Sequence, residues 1–230
     1  MENTIVECIF DMQFESDYVV ENFLSIISNI DGFENIIKLP LHQVPEVIRK
    51  NDPNLKLQPL YEITSLKNRD YKITLGDNVI GIAILKSYTS WSKSFYPQIE
   101  KIFTEILATN KINFISRVGL RYVDFLESEN IFLDKKVNLS INGEEITEKK
   151  VFLKIEDSLD DIDYNKIITN HVKYKNSKNS GSIIDIVTSK KDIPTNGLEN
   201  IFQTIQKLHV INEKKFKEVI GDNYVRQYKL

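Results

Sequence analysis

The chain has 230 residues, 27% of them charged and 41% hydrophobic, with a mean hydropathy of −0.27. That is enough apolar matter to offset the ordering entropy of folding, and 8 Gly with 6 Pro exclude collagen-like and Pro/Gly-rich classes. The single cysteine, Cys8, excludes a disulfide scaffold and a multi-cysteine zinc site. Net charge is −3, without the basic excess from which general nucleic-acid binders draw their phosphate affinity. Residues 1–112 carry four more acids than bases and residues 113–230 one more base than acid, too small an asymmetry for a basic arm. Glu2 and Glu7 flank the first short apolar run, unlike a secretory leader, and no apolar stretch approaches the ~20 residues of a membrane span. A cytoplasmic protein is expected.

The elements follow in order. Residues 5–15 alternate, with Val6, Cys8, Phe10, Met12 and Phe14 opposite Glu7, Ile9, Asp11 and Gln13, the period of a strand with one buried face. Asp17 is placed to cap a helix carrying Val20, Phe23, Leu24, Ile27 and Ile30, which Gly32 ends. Residues 33–55 read as irregular because of Pro40, Pro45 and Pro53. Strands are expected at about 56–67, 70–76 and 79–87, with turns at Asn68-Arg69 and Asp77-Asn78. Trp91 opens a helix whose apolar face holds Phe95, Ile99, Ile102, Phe103, Ile106 and Leu107.

The pattern then restarts. Residues 112–126 form a strand with Phe114, Val118, Leu120 and Tyr122 on one face, followed by a short segment at 130–133 and a hairpin at Asn142-Gly143. Strands at about 150–157, 163–175 and 181–189 precede a helix opening near Asn196, through Ile201, Phe202, Ile205 and Leu208, and a last helix at about 212–226. Residues 99–106 and 198–205 share E-x-I-F-x-x-I, and VECIFDMQF aligns face on face with FISRVGLRY. The expected fold is α+β: one domain of two βαβββα halves, about 1–111 and 112–230, sharing a curved, mostly antiparallel sheet with helices on one face. That element order resembles the saddle of TATA-binding proteins, a likeness that implies no function.

The strand RVGLRYVDF at 117–125, together with the Trp91…Phe95 helix, resembles an uncharacterised, sporadically distributed family of bacterial proteins. That family has an N-terminal strand with Pro-Ile-x-Glu, a central Arg-Ile-Gly-Leu-Arg-Tyr-x-Asn strand and a C-terminal Leu-His…Phe helix. Here the first reads Asn3-Thr4-Ile5-Val6-Glu7, the second carries Asp124 where Asn is usual, and the third reads Leu208-His209 through Phe216. The resemblance implies no activity; its scattered distribution implies a bacterial defence or mobile-element setting.

Arg117, Gly119 and Arg121 share one strand face. Two guanidiniums separated by a glycine suit a phosphate or carboxylate, the glycine admitting the ligand's backbone. The competing reading pairs them across strands with Glu7 and Asp11. His42, His171 and His209 have no metal spacing, and His209 reads as a half-buried helix residue or a dispersed-site ligand. Cys8 reads as a buried, inert thiol. Asp157, Asp160, Asp161 and Asp163 lack the EF-hand glycine and distal Glu and read as a solvated acidic loop. Lys173, Lys175 and Lys178 surround Tyr174 in a hairpin at 171–181, fit for a nucleic-acid backbone or for guarding a sheet edge. No GxxxxGK[ST], GxGxxG, GxSxG or HExxH occurs, so no cofactor or metal is expected.

The expected function is a non-enzymatic binding or regulatory module acting on a protein partner or a second copy of itself. The alternative is a nucleic-acid or nucleotide binder using Arg117/Arg121 and the Lys173–Lys178 hairpin. A dispersed-site enzyme using Arg117, Arg121 and His209 is a third reading.

Overall fold

The computed structural model describes residues 4–30, 32–65, 70–84, 88–133, 137–175, 177–195 and 197–220. The elements are β1 (Ile5–Ser16), α1 (Val20–Ser28), β2 (Asn35–Lys38), α2 (Glu46–Asn51), β3 (Tyr61–Thr64), β4 (Tyr71–Leu75), β5 (Val79–Ile84), α3 (Tyr96–Leu107), β6 (Ile112–Glu127), β7 (Ser140–Ile141), β8 (Glu144–Glu145), β9 (Phe152–Leu159), β10 (Ile162–Val172), β11 (Gly181–Ile193) and α4 (Leu198–Ile220). The fold is α+β. Nine strands form an antiparallel sheet in the order β2-β3-β4-β5-β1-β6-β11-β10-β9, and β7-β8 stand as a separate hairpin. No helix among the described residues is long and apolar enough to cross a membrane. The chain gathers into two compact units.

The first unit comprises Cys8–Leu120 and Ser189–Gln206. The period-two pattern of β1 sends Cys8, Phe10, Met12 and Phe14 inward. They meet the apolar stripe of α3, where Ile99, Ile102, Phe103 and Ile106 are buried and the Phe103 ring stands edge-on to Phe10 at 5.0 Å. Truncating a ring buried this completely costs about 3–5 kcal/mol. Phe23 of α1 closes on Phe14 at 5.3 Å. Ser90 caps a π-helical turn at Trp91–Phe95 before α3, and Trp91 Nε1 donates to Gln206 Oε1 at 2.7 Å.

The second unit comprises Met1–Glu7, Arg121–Thr188 and Lys207–Leu230. Its core is Leu126, Ile131, Phe132, Val151, Ile168, Ile184, Ile186, Phe216, Val219 and Ile220. Buried Asn170 ties down the long connection after β6. Its Oδ1 accepts from the Val151 amide at 2.8 Å and its Nδ2 donates to Lys149 O and Asn130 Oδ1.

Several expectations are corrected. Asp17 does not cap α1: Val19 stands at the N-cap without a side-chain bond, while Asp17 Oδ1 accepts from Asn113 Nδ2 at 2.8 Å. Residues 33–55 are not irregular. Pro40 opens a 3-10 turn and Pro45 precedes α2, since a proline at a helix start loses no hydrogen bond. Of the strand expected at 56–67, Tyr61–Thr64 is strand and residues 52–58 instead coil into hydrogen-bonded turns, while 66–67 lie outside the described residues. Phe114 is 40% exposed; the buried positions step from Ile115 to Val118, so strict alternation fails there. The two C-terminal helices are one. Asn212, where the last helix was expected to begin, is buried and donates to Ile186 O at 2.9 Å, so its carboxamide is satisfied without interrupting α4. Among the described residues no helix stands between β6 and β7, where Asn130–Leu133 is a turn. Asn3, the Asn68-Arg69 turn, 85–87, Asn196 and 221–226 lie outside the described residues.

Candidate functional site

In the first unit, Arg117 Nη1 donates to Asp11 Oδ2 at 2.5 Å. A Cβ placed on Gly119 would stand 2.5 Å from Arg117 Nη2 and 2.7 Å from Asp11 Oδ1. The guanidinium therefore lies against the glycine, and the missing side chain makes room for the ion pair itself. Burial pushes the Asp11 carboxyl above its ordinary range, and the Arg117 charge pulls it partly back.

Arg121 belongs to the second unit and pairs with Asp185 of β11. Nε donates to Oδ1 at 2.9 Å and Nη2 to Oδ2 at 2.7 Å, the two-pronged geometry that fits guanidinium to carboxylate. Hydrogen bonding to Asp185 raises the Arg121 pKa, with a smaller attraction from Glu7. Glu7 is thus a neighbour, whereas Asp185 is the partner. The sequence offered Asp185 no distinction, because its pairing depends on β11 lying beside β6.

The lysine hairpin joins Arg121 through shared neighbours. Lys175 Nζ stands 4.8 Å over the Tyr174 ring, and Tyr174 tilts against Phe125 at 5.6 Å. A hydrogen bond that Lys175 donates to Tyr174 raises the Lys175 pKa, and Glu7 adds attraction. Lys173, Lys175 and Lys178 are exposed. Asn176 lies outside the described residues.

His209 meets Tyr122 in the second unit, with Nδ1 and the phenol oxygen 3.2 Å apart. Burial depresses its pKa to about 4, so the ring is neutral at pH 7. Thr4 Oγ1 donates at 2.7 Å to the buried carboxyl of Asp124, whose pKa burial raises to about 7. The sequence reading noted Asp124 only as a departure from Asn. Its signal was its place in a run from Tyr122 to Leu126 that is otherwise apolar.

Cys8 is buried. Asp160 and Asp161 adopt left-handed conformations (φ 49° and 59°) in the turn between β9 and β10, and Lys207 pairs with Asp161 at 3.3 Å. Asp157 accepts from the Ser158 amide and from Tyr164 Oη. Among the described residues no three His, Cys, Asp or Glu side chains gather as a metal site would require.

A second polar cluster of the first unit escaped the sequence reading. Arg49 of α2 donates from Nε to Asp77 Oδ2 at 2.8 Å, from Nη2 to Asp77 Oδ1 at 3.1 Å and from Nη1 to Val44 O. Both side chains are at least nine-tenths buried. Nearby, Tyr61 Oη donates to Glu21 at 3.2 Å and lies 2.9 Å from His42 Nε2. Burial, then Glu21, raises the Tyr61 pKa.

These bonds anchor the one-and-a-half-turn helix α2 from beneath, while Val47 and Ile48 stand exposed on its outer side beside the Glu46–Lys50 ion pair. Val47 is 72% and Ile48 53% exposed. They line a shallow open concavity of about 580 Å³ with Asn51, Asp52 and Pro53. Ile36, Ile37 and Leu57, in the flanking segments, are exposed as well. Comparison with protein-family models and with curated proteins finds no match to either.

Proposed function

We propose that this chain is a non-enzymatic binding or regulatory module that acts through a protein partner, and that α2 presents the contact. The observation carrying this reading is the pairing of exposed Val47 and Ile48 with the buried Arg49–Asp77 bridge behind them. Two large apolar side chains in water on a rigid mount are what a docking surface needs, because the helix is ordered before the partner arrives. The concavity suits an apolar side chain of the partner, with Asn51 and Asp52 at its rim for polar contacts. A bacterial defence or mobile-element setting and a cytoplasmic location belong to the same proposal, the first through the family resemblance. So does the duplication of the two halves, with the saddle that depends on it. The duplication is supported by the strand state of both β1 and β6 and the helical state of 99–106 and 198–205.

The test is a photo-reactive amino acid at position 47, with exposed position 210 as control, in cells expressing the full chain. One stoichiometric protein adduct at 47, absent at 210 and lost with Ile48→Glu, is the expected result. No adduct at 47 above the control overturns it.

Nucleic-acid binding is the second reading. Exposed Lys173, Lys175 and Lys178 around the Tyr174–Phe125 ring pair favour it. Asp185 and Asp11, which occupy Arg121 and Arg117, oppose it. A salt-sensitive gel shift lost in Lys173→Ala/Lys175→Ala would establish it in place of the first.

A further inference from the structure

Strand β9 ends the sheet order and has a ladder partner, β10, on one side. The residues from Phe152 to Leu159 are all exposed or half-exposed, with Phe152 at 69% and Ile155 at 37%. An exposed edge of eight residues is a template for another strand, and folds normally blunt such edges. We propose that β9 is an interface to a second copy of this chain, the two β9 strands pairing antiparallel about a two-fold axis at Ile155. This goes beyond the α2 reading, since it uses another surface and another partner.

The charge order of the strand selects the occupant and the register. Two identical edges that extend one sheet antiparallel are related by an axis perpendicular to it, so a residue on one face pairs with a residue on the same face. The axis then falls on a residue. At Lys154 it would set lysine against lysine, at Glu156 glutamate against glutamate, and at Asp157 aspartate against aspartate. At Ile155 each Lys154 faces the other copy's Glu156, Ile155 meets its own equivalent, and Phe152 faces Ser158. Lys154 and Glu156 share a face and already lie 2.6 Å apart within one copy, so their charges occupy the same level of the edge. The two-fold turns that pair into a ring of four alternating charges.

A neighbouring acceptor supports the same register. Asn165 pairs with Glu156 in the β9–β10 ladder and donates weakly to its Oε1 at 3.5 Å. The Asn165 Oδ1 is buried without a hydrogen-bond partner. A second copy's Lys154 ammonium, arriving at Glu156, adds a strong donor beside that carboxamide.

The experiment measures the mass of the full-length chain by sedimentation equilibrium over a concentration series, with thermal melts to confirm that each variant is folded. The wild type is expected to form dimers. Lys154→Glu and Glu156→Lys alone each set like charges against one another twice and weaken the dimer about tenfold. The double exchange Lys154→Glu/Glu156→Lys restores it. Ile155→Lys, which places two ammonium groups on the axis, leaves monomers. A wild type that stays monomeric throughout the series overturns the proposal. So does a dimer that the single charge reversals leave unchanged, or a double exchange that fails to restore pairing.

Discussion

Arg117 and Asp11 meet directly against Gly119, so closely that a single methyl group on the glycine would collide with both partners. The spacing Arg-x-Gly thus encodes a strand position flat enough for a guanidinium to lie across. Both side chains are mostly shielded, which makes the pair costly to break from one side.

Gly119→Ala is therefore expected to destabilise the chain by about 1–3 kcal/mol, because the methyl group displaces the guanidinium from its carboxylate. Arg117→Ala leaves Asp11 shielded and alone and should cost a similar amount, while the double change Arg117→Ala/Asp11→Ala should cost less than the sum of its parts. Urea unfolding of the wild type, Arg117→Ala, Asp11→Ala and the double variant gives the coupling directly. Additive losses would show that the pair does not act as one unit.

Asp124 should make stability fall as pH rises. Its folded pKa of about 7 lies above the ordinary carboxylate value of 3.8, so the folded state holds the proton more tightly than the unfolded chain. The resulting stabilisation is complete below pH 3.8, declines between the two values and is gone above pH 7. Asp124→Asn keeps an acceptor for Thr4 Oγ1 and has no charge to bury. At pH 8 it should be more stable than the wild type by up to about 4 kcal/mol, with little difference at acid pH. Melting temperatures from pH 5 to 8.5 decide this; parallel curves would contradict it.

His209 should act in the opposite direction. Burial lowers its folded pKa from 6.5 to about 4, so the unfolded chain takes the proton first. The contribution is present above pH 6.5 and is lost as pH falls toward 4. His209→Asn should flatten the acid side of the stability profile. Tyr122→Phe should cost about 1 kcal/mol through its hydrogen bond and leave that acid slope in place.

Arg49 and Val47 sit two residues apart with opposite roles. Arg49→Ala strands the buried Asp77 carboxylate and should cost about 3–5 kcal/mol. With the photo-reactive residue in place of Val47, Ile48→Glu on the same exposed face should change stability by about 0.5 kcal/mol or less while abolishing the adduct. Thermal melts paired with crosslinking separate the two effects.

The local periods made the main elements legible. β1, β6 and α3 could be read because alternation and three-to-four spacing are properties of a single segment. α2 was hidden by Pro40 and Pro45, residues that break a helix in its interior but begin one at its start. The continuity of α4 was hidden because the apolar run through Leu208 and the helix expected from about 212 read as two, whereas buried Asn212 donates to Ile186 O within a single helix. The candidate site divides in the same way. The Arg117–Asp11 pair was among the stated alternatives because both residues lie on strands whose faces could be read.

Asp185, Asp77 and Thr4 were beyond such reading. Each is 28 or more residues from its partner in sequence, and nothing local marks it. By itself the sequence determined the charge balance, the apolar faces, the α+β class and the shared face of Arg117, Gly119 and Arg121. Only the tertiary structure decided which carboxylate each arginine holds, which aspartate stays protonated near neutral pH and which strand edge is left open. Ion pairing and desolvation depend on distance and burial, and strand order sets both of those.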